Sequence, residues 1–392
     1  MKSSGFRFYN PVKLISGDKA LDSLPYELKQ LQSRRPLIIT DQGVVQAGLV
    51  ELAKKALDGN DQISISIYDR VPADSAPSVV NAAAAVFRDN ECDSIIAVGG
   101  GSVIDTGKAV NMVISEEADD IIQLIGVKLK AAMKPFIAIP TTAGTGSEVT
   151  YAALIKDAAQ NKKLLFASYQ LFPDSAILDP RMTLSLPPLV TAATAMDAMS
   201  HAMEAYTCNQ KNPLSDAHAV SALKLIRQNL EKVIENGNDI EGRFCLANAA
   251  CMAGAAFSNS GVGIVHALGH ALGGVCGVSH GEAMSIFLPH GLEFNITVAG
   301  DIIGELLLPL CGAEDYVQTP PEMRAEKTVS VIRDLKDTLH KMTRLPRTLS
   351  EAGVEKDSLG KIAQKALKDP AINFNPVAVG DEDVEHILQK AF

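Results

Sequence analysis

Hydrophobic positions in the first half of the chain alternate between two periods. Residues 36–40 (Pro-Leu-Ile-Ile-Thr) form a short apolar run closed by a turn signal at Asp41, Gln42 and Gly43, and residues 44–58 then take helical spacing. Residues 62–68 alternate apolar and polar side chains strictly, as a half-buried strand does, and the Ala-rich residues 76–90 predict a helix. The run 94–98 (Ser-Ile-Ile-Ala-Val) predicts a buried strand that stops at Gly99, Gly100, Gly101 and Ser102, with a helix from about Val103 to Ser115. A further buried strand, 135–140, leads into Thr141-Thr-Ala-Gly-Thr-Gly-Ser-Glu148. Strands alternating with helices predict a parallel, doubly wound, Rossmann-like sheet. After Pro187 and Pro188 the strand pattern ends. Long Ala-, Leu- and Met-rich stretches follow at 189–207, 213–235, 241–258, 263–275, 280–297 and 321–342, with a loop over 311–322. The expected architecture is therefore an α/β domain over residues 1–188 and an all-α helical domain over 189–392.

Composition narrows the function. The 392 residues carry 46 acidic against 36 basic side chains, a net charge of −10, which disfavours phosphate backbones and anionic lipid as partners. Trp is absent and aromatics are 5%, a poor platform for stacking bases. No apolar run approaches the ~18 residues of a spanning helix, and the first ten residues lack the apolar segment of a signal peptide. The six cysteines form no C-x-x-C pair and read as small buried hydrophobes in a reducing compartment. A cytoplasmic protein with no nucleic-acid or membrane partner is expected.

The glycine turn suits an anion. Gly99, Gly100, Gly101 and Ser102 lie between a strand and a helix N-terminus, where bare backbone N–H groups and the helix dipole favour a pyrophosphate; a tight turn needing small residues explains the same glycines. Neither G-x-G-x-x-G nor the P-loop spacing fits, since Ile104 stands where the first requires Gly and Ala109 follows Lys108. Asp41, ending the first strand of the sheet, suits either an adenosine ribose or a helix N-cap. Thr141, Thr142 and the Thr145–Ser147 turn sit at a strand's carboxyl end, where open α/β sheets bind ligands and where Ser/Thr-rich turns are also common.

Histidines are scarce and clustered. Of eight, His266, His270, His280 and His290 fall within 25 residues, and His201 follows Asp197 by four. The i, i+4 spacing places Asp197 with His201, and His266 with His270, each pair on one helix face. One carboxylate and several imidazoles suit Fe²⁺ or Zn²⁺, and no Cys pair has the spacing of a thiolate zinc site. His290, in Leu288-Pro-His-Gly291, is expected to serve structurally at a helix end.

These segments together resemble the iron-containing (group III) alcohol dehydrogenase family. The resemblance rests on Gly99-Gly-Gly-Ser-Val-Ile-Asp105, Pro140-Thr-Thr-Ala-Gly-Thr-Gly-Ser-Glu-Val149, Thr194-Ala-Met-Asp-Ala-Met-Ser-His201, Gly263-Ile-Val-His-Ala-Leu-Gly-His270 and Ser279-His-Gly281, in that order over essentially the whole chain. It implies Asp197, His201, His266 and His280 as metal ligands and His270 as an additional histidine near the nicotinamide. It implies NAD contacts at Asp41, the 99–102 turn, Thr141, Thr142, Thr150 and Lys163, with Asp41 favouring NAD over NADP. It also implies Phe257 at the substrate pocket and a homo-oligomer in which residues 6–16 pair at an edge. The expected reaction is reversible hydride transfer between a short primary alcohol or diol and NAD, giving an aldehyde, with Fe²⁺ or Zn²⁺ as Lewis acid. A zinc-dependent enzyme of the same architecture, resembling glycerol dehydrogenase or dehydroquinate synthase, is the alternative. Two departures stand out: Ser279 replaces the Pro that many members carry before the last ligand histidine, and Ala73-Asp74 replaces a common Asn-Pro.

Overall fold

The computed structural model describes residues 5–157 and 162–392. The chain divides into two compact units, one of Asn10–Ser185 and one of Leu186–Phe392 joined by residues 5–9.

Among the described residues the first unit has eight strands: β1 (Lys13–Ser16), β2 (Pro36–Ile39), β3 (Ser66–Tyr68), β4 (Ser94–Gly99), β5 (Phe136–Pro140), β6 (Ala152–Asp157), β7 (Lys162–Ala167) and β8 (Ser175–Leu178). Six form one parallel sheet in the order β1-β8-β5-β4-β2-β3, and β6 and β7 form an antiparallel pair. The four inner strands are buried at every position while β1 and β3 at the edges are partly exposed, as a sheet covered on both faces requires. Alternate residues separate the two faces. Leu37, Ile39, Ile95, Ala97, Phe136 and Ala138 join one apolar cluster with α4 (Pro77–Asp89) and α5 (Gly101–Ser115). Ile38, Ile96, Val98, Ile137, Ile139 and Ile177 join the other, covered by α1 (Leu24–Gln30), α2 (Gln42–Gln46) and α3 (Leu49–Lys55).

The helix expected over 44–58 is two helices, because Gly48 takes a left-handed φ of 75° between α2 and α3. Only residues 66–68 of the alternating 62–68 run pair as strand, since β3 is an edge whose one neighbour among the described residues is β2.

The second unit contains α6 (Pro188–Thr207), α7 (Pro213–Glu235), α8 (Ile240–Ser258), α9 (Ile264–Cys276), α10 (His280–Glu305), α11 (Leu307–Cys311), α12 (Ala313–Gln318), α13 (Arg324–Thr343), α14 (Leu359–Ala366) and α15 (Asp381–Ala391). The expected loop over 311–322 holds the short α12. Central α6 packs on α7, α8 and α10 and is buried along almost its whole length. Among the described residues no helix is long and apolar enough to cross a membrane.

Candidate functional site

A helix as buried as α6 can carry charge only where partners meet it. It carries Asp197, His201 and Glu204 at i, i+4 and i+7, one face of the helix. Helix α9 brings His266 and, one turn later, His270; α10 begins at His280. One donor atom from each of Asp197, His201, His266 and His280 lies within 4.8 Å of the others. Asp197 Oδ1 is 3.3 Å from His280 Nε2, 3.7 Å from His201 Nδ1 and 3.9 Å from His266 Nε2. Four donors about 2.1 Å from a tetrahedral ion stand about 3.4 Å apart, so the spacing fits. Asp197 Oδ1, His201 Nδ1 and His266 Nε2 are buried with no hydrogen-bond partner among the described residues. Buried polar atoms without partners are costly, and a divalent cation at their common focus satisfies all three.

The electrostatics agree with that donor set. Burial pushes the Asp197 carboxyl up, but His201, His280 and His266 outweigh it and hold the group well below the usual carboxylate range. Burial lowers His201 to about 3 against the opposing pull of Asp197, and burial with His280 beside it lowers His266 well below its ordinary value. The imidazoles of His201 and His266 are therefore neutral, with lone pairs available, and the carboxylate is ionised. Glu204 holds the far side of His266: its Oε2 pairs with His266 Nδ1, and its Oε1 accepts from the Val265 N–H at 2.7 Å. With Nδ1–H donated to Glu204, the lone pair of Nε2 faces the cluster.

His270 stands beside these four. Its Nδ1 lies 2.9 Å from Asp369 Oδ2, its ring stacks on His280 at 5.4 Å, and it meets His266 edge-on at 5.9 Å. Burial raises the Asp369 carboxyl, but its bond to His270 and that ring's charge more than offset this and leave it below its ordinary value. Phe257 covers the other side, stacked on His201 with centroids 4.2 Å apart. Glu282 accepts from the Ser279 N–H at 3.3 Å and from its Oγ–H at 2.7 Å, fixing the start of α10 at His280. Ser279 has φ −61°, the value a proline ring imposes, so Ser and Pro serve the same backbone here.

In the sheet unit the glycine turn opens α5, with Gly100 as N-cap. Its glycines also answer to packing: a Cβ on Gly101 would lie 2.7 Å from Thr145 Cγ2, and one on Gly100 would lie 3.3 Å from Thr142. Ser102 Oγ donates to the Ala73 carbonyl, and the Thr141 N–H donates to Gly99 O at 3.0 Å. Asp41 caps α2, its Oδ1 accepting from the Val44 N–H at 2.9 Å. Thr150 is buried, its Oγ1 bonded to Lys108 Nζ at 2.9 Å. Lys163 pairs with Asp74 at 3.7 Å, and Asp74 with Lys156 at 2.9 Å.

Two family profiles match consecutive parts of the chain: "Iron-containing alcohol dehydrogenase" over residues 11–180 and "Fe-containing alcohol dehydrogenase family, C-terminal" over 191–392. The chain belongs to the iron-containing alcohol dehydrogenase family. It is 33% identical over 389 residues to the NAD-dependent methanol dehydrogenase of Bacillus methanolicus, covering 98% of this chain and 99% of that one. It is 32% identical to the 1,3-propanediol dehydrogenase of Klebsiella pneumoniae, covering 99% of both. Among solved structures, a 1,3-propanediol oxidoreductase superposes with a TM-score of 0.94 at 31% identity, covering 99% of this chain and all of that one. The sulfoacetaldehyde reductase of Bifidobacterium kashiwanohense in complex with NAD⁺ gives a TM-score of 0.87 at 25% identity, covering 99% of both. The chain is thus an oxidoreductase, an alcohol dehydrogenase of this family.

Three residues of this dehydrogenase escape sequence reasoning. Glu204 carries a usable signal, an acid at i+7 from Asp197 on an otherwise apolar helix. Asp369 carries none, being 99 positions from His270. Lys108 looks like a surface helix residue but is fully buried, donating to Ser147 O at 2.7 Å, Ser147 Oγ at 3.0 Å and Ala152 O at 2.8 Å as well as to Thr150. His290, expected at a helix end, lies within α10, which continues past Pro289.

Proposed function

We propose that this dehydrogenase interconverts a short primary alcohol or diol and its aldehyde with NAD, using a divalent ion, Fe²⁺ in preference to Zn²⁺, held by Asp197, His201, His266 and His280. The observation that carries this reading is the convergence of three buried, unpartnered donor atoms on one point beside His280. A divalent ion there supplies Lewis-acid chemistry toward the substrate oxygen, and NAD supplies the hydride acceptor. The chain's own residues do the rest. Glu204 fixes the ring of His266, and Asp369 fixes that of His270 so that Nε2 stays free of the carboxylate. His270 is not needed among the four donors and serves as the group that accepts and passes on the alcohol proton at Nε2. Phe257 shields His201 with an apolar face, which keeps water from that side of the cluster.

Residues 1–188 are assigned to the cofactor and 189–392 to metal and substrate. Asp41 is assigned to the ribose, where its carboxylate repels a 2′-phosphate; Gly99, Gly100, Gly101 and Ser102 to the pyrophosphate; and Thr141, Thr142, Thr150 and Lys163 to further cofactor contacts. Thr150 acts indirectly, since its hydroxyl is engaged by Lys108. We place the enzyme in the cytoplasm as a homo-oligomer. The test is NADH formation from a panel of alcohols by enzyme stripped with EDTA and then reloaded anaerobically with Fe²⁺ or Zn²⁺. Restoration by Fe²⁺ with a primary alcohol supports the reading; equal activity in the stripped enzyme overturns it.

A further inference from the structure

Ten residues along α10 from His280, about 15 Å of helix, a second cluster lies apart from the metal-binding face. His290, Arg333, Lys336, Asp337, Arg347 and Thr348 line a pocket of about 230 Å³. Its one acid, Asp337, and the neighbouring Glu293 and Glu351 are already engaged by outer cations. Glu293 binds Arg333 at 2.9 Å and Lys390 at 3.7 Å, while Arg347 takes Glu351 at 2.6 Å and Asp337 at 3.5 Å. Lys336 is left over. It is only 8% exposed, and its ammonium has one hydrogen-bond acceptor among the described residues, the Arg347 carbonyl at 3.0 Å. His290 Nδ1, in the same pocket, is buried with no hydrogen-bond partner among the described residues.

A buried ammonium with spare donors beside a partnerless imidazole nitrogen and two guanidinium groups is an arrangement that a compact anion completes. A cation or an apolar ligand would leave the same donors unmet. We propose that this pocket binds a phosphate group, with Lys336 as its central charge, His290 Nδ1–H as a second donor and Arg333 at the mouth. Burial, opposed by Asp337 and reinforced by Arg333 and Arg347, lowers Lys336 to about 8, so it is still charged at neutral pH. No feature of the proposed reaction uses this pocket; the ligand is an effector or a phosphorylated metabolite recognised through its phosphate.

The test is equilibrium dialysis of labelled inorganic phosphate against the metal-loaded enzyme, with NAD⁺ saturating so that the cofactor site is filled, and with ionic strength held constant by KCl. Saturable binding of about one phosphate per chain is expected. Lys336→Gln should weaken it about tenfold or more, the loss of one charge-assisted buried contact, with dehydrogenase activity unchanged. Arg333→Gln, at a side chain 42% exposed, should weaken it severalfold and serves if the Lys336 variant does not fold. Absence of saturable binding, or binding undiminished in the folded variants, overturns the proposal.

Discussion

At the scale of single residues, the proposed site separates the four donors that converge on one point from the groups that orient them. His270 lies one turn from His266, yet its Nδ1 is committed to Asp369 and the other four residues already converge without it. His270→Ala should therefore keep its metal, measured by elemental analysis, while kcat falls on the order of 10²-fold. Metal loss equal to that of His266→Ala would instead make His270 a ligand. Glu204 meets the rear nitrogen of His266 and the Val265 N–H rather than the point where the four donors converge. Glu204→Gln should weaken metal affinity, read by chelator competition, by roughly 10–100-fold, as other second partners of metal-bound histidines do. Asp41 is a helix cap as well as the assigned ribose contact. Asp41→Gly should relax the preference for NAD over NADP in kcat/KM, with only a small loss of Tm because Gly is a tolerable cap. Equal efficiency with both cofactors in the unaltered enzyme would remove that role.

At the scale of elements, most of the sheet is legible because buried parallel strands are unbroken apolar runs, and β2, β4 and β5 stand where such runs end at Thr40, Gly99 and Pro140. The β6–β7 pair is not legible. Its strand β6 mixes Ala, Lys and Asp with Leu and Ile, and it is placed by tertiary contacts rather than by a strong local pattern. The Asp197–His201 and His266–His270 pairs are legible because α6 and α9 impose i, i+4 spacing, whereas Asp369 reaches its partner only through the folding of the chain. Lys108 belongs to the unread part. Together with Asp105, whose Oδ1 accepts from Ser147 Oγ at 2.6 Å and whose Oδ2 accepts from the Leu154 N–H at 2.9 Å, it clamps residues 147–154 onto α5. Lys108→Met leaves the Ser147 and Ala152 carbonyls without this donor and should cost about 1–3 kcal/mol in denaturant unfolding. The pH dependence has a definite sign. Burial lowers Lys108 from 10.5 to about 8, so between those pH values the unfolded chain binds more protons than the folded one. The stability of the unaltered enzyme relative to Lys108→Met should rise as pH climbs from 8 to 10.5, and be flat with pH below 8. A gap that shrinks over that window would contradict the buried, charged lysine.

At the scale of the whole molecule, one chain carries two chemically distinct assignments. A parallel sheet opens α5 at a glycine turn, and a helical unit gathers one buried carboxylate, two buried imidazoles and the half-buried His280 around a common point. The central claim is that this point is a metal site and that the four residues act together. The most direct measurement is the Fe²⁺ stoichiometry of anaerobically reconstituted enzyme, compared with Asp197→Asn, His266→Ala and His280→Ala on folded preparations. About one ion per chain in the unaltered enzyme is expected, with binding weakened by orders of magnitude in every variant and NADH formation falling in parallel. Undiminished stoichiometry and affinity in His266→Ala and His280→Ala would contradict it.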